Sequence, residues 1–99
     1  MEKRVAHYSL DLIRKLINEE NYRITGTAFR DAMALGFDED DILEVVLKLS
    51  PKELYKSMTT HYDNKIWQDV YYVTLQKKEL YVKLQINEDA IVISFKERT

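Results

Sequence analysis

An α+β fold is predicted for this chain, with N-terminal helices packed on one face of a mostly antiparallel C-terminal sheet. Two features of the sequence carry that expectation. As far as Ser50 the apolar residues recur every three or four positions, the period of a helix. Beyond Ile66 they alternate, and β-branched and aromatic side chains become dense. Length adds a constraint: 99 residues with 45% hydrophobic content supply one domain, residues 1–99, around a single core.

The first helix starts after Ser9, whose hydroxyl suits an N-cap, and Leu10, Ile13, Leu16 and Ile17 form its inner stripe until it ends within residues 18–21. In the second, Thr25 or Thr27 is the cap and Ala28, Ala32, Met33 and Leu35 form the buried stripe. Gly36 takes the left-handed position that ends it. Asp38 caps the third. Acids fill its first turn, where the helix dipole favours negative charge, while Ile42, Val45, Val46 and Leu49 face inward until Ser50 and Pro51 stop it.

Residues 66–75 read as a central strand, because both of their faces carry apolar side chains. Alternation is strict in residues 80–86: Leu80, Val82, Leu84 and Ile86 face one way, Tyr81, Lys83 and Gln85 the other. Residues 90–97 repeat it, with Ile91, Ile93 and Phe95 inward and Val92, Ser94 and Lys96 outward. The connections at 76–78 and 87–89 are short enough for an antiparallel meander. Residues 55–60 offer a fourth strand, and residues 3–8 or 22–25 one at an edge. Helices over the apolar face would leave Tyr81, Lys83, Gln85, Ser94 and Lys96 together on the other, where function is expected.

Composition removes several functional classes. No apolar run approaches the roughly 18 residues of a membrane span, and no apolar stretch follows the basic start at Lys3 and Arg4. Neither a membrane helix nor a signal peptide is expected, and the cytoplasm is the expected compartment. The absence of cysteine excludes disulfides, thiolate zinc sites and thiol nucleophiles, and leaves His7 and His61 as the only imidazoles. No bound metal or other cofactor is expected. Gly26 and Gly36 lie in no phosphate-binding loop, and no serine has a triad context.

The net charge of −2 is unevenly spread: residues 1–50 carry seven Lys/Arg against ten Asp/Glu, residues 51–99 eight against seven. Several of the later lysines are interleaved with tyrosines, a pattern that allows a local basic and aromatic surface. His7 and His61 could form an acid–base pair for RNA cleavage; a surface or structural role is the simpler reading for His61, in its polar loop, and an equal alternative for His7. Lysine, tyrosine and glutamine together suit a phosphodiester. Lysine meets the charge that grows on phosphate, tyrosine stacks on a base or relays a proton, and glutamine orients an oxygen.

The chain also carries four stretches: Tyr55, Lys56, Ser57, Met58, Thr59 and Thr60; Ile66, Trp67, Gln68, Asp69, Val70 and Tyr71; Leu80, Tyr81, Val82 and Lys83; and residues 91–96, from Ile91 to Lys96. In order and spacing they resemble the MqsR family, the motility quorum-sensing regulator toxins of bacterial toxin–antitoxin pairs. The opening Met1, Glu2, Lys3 and Arg4 and then His7 fit as well, so the resemblance spans the chain. It implies a RelE-like ribonuclease fold and an endoribonuclease that cuts messenger RNA without the ribosome, at GC-containing sites. It also implies an MqsA-like antitoxin partner with a zinc-binding domain, the zinc belonging to that partner. By position, the family's catalytic residues fall on Lys56, Gln68 and Tyr81, with Lys96 added; Tyr55, Met58 and Lys83 are taken as substrate contacts. The mechanism expected is attack by the RNA's own 2′-OH, without metal. The loop at residues 61–65 corresponds least. The competing class is a non-catalytic RNA-binding or adaptor module, which would bind without cleaving.

Overall fold

A computed structural model describes residues 1–98. The elements in chain order are β1 (Glu2–Lys3), α1 (Leu10–Asn18), β2 (Tyr22–Ile24), α2 (Gly26–Ala34), α3 (Glu39–Leu47), a 3-10 turn (Pro51–Glu53), β3 (Leu54–Thr59), β4 (Trp67–Leu75), β5 (Lys78–Asn87) and β6 (Asp89–Glu97). The α+β expectation holds. Six strands form one sheet in the order β1-β3-β4-β5-β6-β2, antiparallel except where β2 runs parallel to β6. Residues 22–25 supply the edge strand β2, whereas of residues 3–8 only Lys3 is in a strand, joined by Glu2 in β1 at the other edge. Among the described residues no helix is long and apolar enough to cross a membrane.

Local chemistry fixes the helices. Ser9 Oγ accepts the Leu12 N–H at 3.3 Å, and Asp38 and Asp41 form a reciprocal capping box at the start of α3. Thr25, not Thr27, caps α2: its hydroxyl oxygen accepts the Ala28 N–H at 3.1 Å and donates to the Ile93 carbonyl at 2.9 Å, tying the helix to β6. Gly36 follows α2 with φ +90°, and the Phe37 N–H reaches back to the Ala32 carbonyl at 2.9 Å, closing a Schellman turn. Arg14 joins α1 to α3 by donating to the Leu47 and Leu49 carbonyls at 3.1 and 2.6 Å, a cation placed at the negative end of the helix.

The core lies between the three helices and one face of the sheet. Ile13, Ile17, Ala28, Ala32, Ile42, Val45, Val46 and Leu49 meet Tyr71, Leu80, Val82, Leu84, Ala90, Val92 and Phe95. Two expectations are corrected here. Met33 is 49% exposed, because α2 packs through Ala28 and Ala32, whose small side chains bring the helix close to β6 and turn Met33 away. In β6 the inward residues are Ala90, Val92 and Phe95, paired with Ile86, Leu84 and Val82, whereas Ile91 lies opposite Gln85 on the other face. The cause is a register shift between Lys83 and Leu84, opposite which Ile93 is an extra residue on β6. It reverses the parity of the strand, and Thr25 holds the Ile93 carbonyl at that point.

One polar group sits within this layer. Asp69 on β4 is fully buried, and its carboxylate accepts the His7 N–H at 3.0 Å on each oxygen and the Tyr8 N–H at 2.9 Å. Tyr8 also donates its hydroxyl to the Trp67 carbonyl at 2.7 Å. These bonds dock the segment between β1 and α1 on the sheet. Replacing Asp69 with asparagine would retain the shape while setting an amide N–H against a backbone N–H. Asp69→Asn is expected to lose about 1–3 kcal/mol in urea unfolding. An unchanged midpoint would remove this carboxylate from the account.

Candidate active site

Strand pairing gathers Lys56, Met58, Gln68, Tyr81, Lys83 and Lys96 onto the face the helices leave open. Across β3, β4, β5 and β6, Lys56, Val70, Lys83 and Ser94 lie side by side; Met58 lies beside Gln68, and Tyr72 beside Tyr81 and Lys96. Tyr55 occupies an irregularity at the start of β3, where the register shifts between Leu54 and Lys56, and its ring stacks on Tyr72 at 4.3 Å and 11°. Val70 is fully buried in this open face, among the longer side chains of its row.

Three ammonium groups share this face, two of them over Tyr81. Lys96 Nζ lies 5.1 Å and Lys83 Nζ 5.7 Å from the centre of its ring, within cation–π range. Lys56, whose side chain is 18% exposed, stands over Tyr55 at 5.3 Å and forms an ion pair with Glu2 from β1. The hydrogen bond to Glu2 holds the Lys56 pKa above the usual lysine value and that of Glu2 below the usual carboxylate value. Lys83 is pushed the other way, first by burial and then by the charges of Lys96 and Lys56. Burial, reinforced by Tyr72 and opposed by Lys56, raises Tyr81, so it is a neutral phenol able to donate.

Gln68 is held by its neighbour: its Nε2 donates to Gln85 Oε1 at 2.8 Å. The arrangement therefore offers two ammonium groups without a carboxylate partner among the described residues, a third beside Glu2, a phenol donor and a fixed amide. Such a set of groups can stabilise an anion whose charge increases during reaction.

Sequence reasoning missed three contributors. Glu2 was visible only as part of the opening residues, since nothing local reveals that a two-residue strand will pair with β3. Tyr72 belongs to the expected central strand, and it stacks between Tyr55 and the Arg98 guanidinium, which lies 4.4 Å from its ring centre. Arg4 reaches the Tyr55 carbonyl at 3.0 Å. The histidine pair is not assembled: His7 stacks on Trp67 at 5.5 Å and contacts Lys3, whereas His61 lines the groove beside Met58 and Gln68. Among the described residues no three His, Asp or Glu side chains gather as a metal site would need.

A family described as "Motility quorum-sensing regulator, toxin of MqsA" matches residues 5–97 of the chain. The protein of Escherichia coli (strain K12) named mRNA interferase toxin MqsR is 42% identical over 98 residues, which cover 99% of this chain and all of that relative.

The lysine cluster has a measurable signature. As pH rises, Lys83 is expected to lose its proton before Lys56 in an NMR titration of the side-chain signals. Lys96→Gln should raise the Lys83 pKa, since removing a nearby positive charge favours the protonated form. Indistinguishable titrations of Lys83 and Lys56, unmoved by that substitution, would contradict the geometry.

Proposed function

The chain belongs to the motility quorum-sensing regulator toxin family, and we propose that its open sheet face is the active site of an endoribonuclease that cleaves messenger RNA as the toxin of a toxin–antitoxin pair. The observation that carries this reading is the placing of Lys83 and Lys96 over Tyr81, with Lys56 in the same row as Lys83 and Gln68 in the neighbouring row. The proposal extends to a RelE-like fold over residues 1–99, to cytoplasmic action on GC-containing sites without the ribosome, and to an MqsA-like antitoxin with a zinc-binding domain. The outer edges of β1 and β2 leave backbone groups to which such a partner could add a strand.

In the proposed reaction the 2′-OH attacks the adjacent phosphorus, a bond forms from O2′ to phosphorus, and the bond from phosphorus to the 5′-oxygen breaks. The 2′ proton passes to water and the 5′-oxygen gains one from Tyr81, which recovers it from water, leaving a 2′,3′-cyclic phosphate and a 5′-OH. Lys56, kept charged by Glu2, and Lys96 stabilise the phosphoryl oxygens in the pentacoordinate state. Tyr81, held neutral, is placed to donate to the departing oxygen. Gln68, fixed by Gln85, orients the scissile phosphate. Tyr55, Met58 and Lys83 contact the chain on either side. RNA supplies the nucleophile and lysines the charge, so no step is assigned to a metal.

The test is incubation with a defined single-stranded RNA in EDTA. Cleavage to cyclic-phosphate ends is expected, suppressed by the antitoxin. Lys56→Ala and Tyr81→Phe should each slow it by on the order of tenfold to a thousandfold in a folded protein. Binding without cleavage would instead establish an adaptor, and near-native rates in a folded variant would remove that residue from the site.

A further inference from the structure

Beside the lysine cluster the open face continues into a groove of about 650 Å³. Its floor is Met58, Gln68 and Lys83, and its outer wall is the loop between β3 and β4, which contributes His61, Tyr62 and Asn64. The loop is built around Thr60 and Asp63. Thr60 Oγ1 donates to the Asp63 carbonyl at 2.9 Å and accepts its N–H at 3.0 Å, Asp63 Oδ1 accepts the Lys65 N–H at 2.8 Å, and the Thr60 N–H reaches the Ile66 carbonyl at 3.0 Å. Those bonds are made by backbone and by Thr60 and Asp63, so the other side chains contribute little to the turn itself.

Tyr62 is the clearest case. It is fully exposed, and among the described residues no aromatic ring stacks on it. A bare tyrosine contributes nothing to the core and exposes apolar surface to water, yet this one stands at the rim of a polar groove that opens onto the phosphate-handling face. A ring in that position offers a π-face to a base, while His61 and Asn64 offer donors and acceptors to its edge. Met58 gives an apolar floor, and Lys83 connects the groove to the cluster around Tyr81.

We propose that this groove is a nucleobase subsite for single-stranded RNA, in which the base next to the scissile phosphate stacks on Tyr62 and has its edge read by His61 and Asn64. It rests on the reading of the open face as the RNA-cleaving site and adds a division of labour. The lysines, Tyr81 and Gln68 set the rate, whereas the loop selects which phosphodiester reaches them. Sequence preference is then carried by a segment whose side chains can change without disturbing the sheet.

The experiment combines two readouts on the full chain and its Tyr62→Ala, Tyr62→Phe and Asn64→Ala variants. One is affinity for a 2′-O-methyl RNA that cannot be cleaved; the other is the distribution of cleavage sites in a randomised single-stranded RNA, mapped by sequencing. Tyr62→Ala is expected to weaken affinity by on the order of fivefold to a hundredfold, with Tyr62→Phe restoring it because stacking needs only the ring. Asn64→Ala is expected to redistribute the cleavage sites, because the base edge that Asn64 reads is no longer distinguished. Unaltered affinity and an unaltered site distribution in both alanine variants would overturn the subsite. A wild-type protein that cleaves nothing would strike the ribonuclease reading alone, since the affinity measurement still decides whether the groove holds a base.

Discussion

A β-strand must send alternate side chains to opposite faces, and in this chain three short helices cover only one of them. The rest of the molecule answers to that asymmetry. The covered face is filled with Tyr71, Leu80, Val82, Leu84 and Phe95, and it ties each strand's register to burial, because a slip of one residue would expose the whole set. Once the register is fixed, the residues between those positions have no freedom to go elsewhere. Lys56, Gln68, Tyr81, Lys83 and Lys96 are distributed over four strands, and the same pairing that buries the core aligns them.

Bringing three ammonium groups together on a half-buried surface opposes folding, and the structure offsets that only in part. Glu2 and the face of Tyr55 meet Lys56, while the aromatic face of Tyr81 lies within reach of Lys83 and Lys96. What remains is an attraction for a polyanion, strongest where the charges lie closest. The buried Asp69 belongs to the same economy of positions: it projects to the helical side of β4 while its neighbour Gln68 projects to the open side. By docking residues 7 and 8 it also helps to fix the N-terminal segment whose β1 carries Glu2 to Lys56.

The fold class, the helix starts and the end of α2 were legible because caps, acids at helix starts and apolar periods are local signals: Ser9, Asp38 and Gly36 do what their chemistry suggests, whereas α3 ends at Leu47, before the expected stop at Ser50 and Pro51. The open face was legible on β5, where alternation is unbroken. On β6 the expectation failed between Ile91 and Ile93, because the extra residue in the bulge has no local signature and depends on the contact of Thr25 with the Ile93 carbonyl. Ser94 and Lys96 were placed correctly because they lie beyond the bulge, next to Phe95. Met33 failed because a period alone does not reveal that Ala28 and Ala32 take the closest approach. The roles of Lys56 and Gln68 came from resemblance, and nothing in their own strands would have joined them to Tyr81. Glu2 needed the strand pairing to be seen at all.

The central claim is that RNA lies across the open face, and amide and side-chain chemical shifts measured while adding an uncleavable single-stranded RNA test it most directly. Shifts confined to β3, β4, β5 and β6, with the largest at the open-face positions Lys56, Gln68, Tyr81 and Lys96, are the predicted result. Shifts concentrated on the exposed surfaces of α1, α2 and α3, with those four residues unmoved, would contradict it.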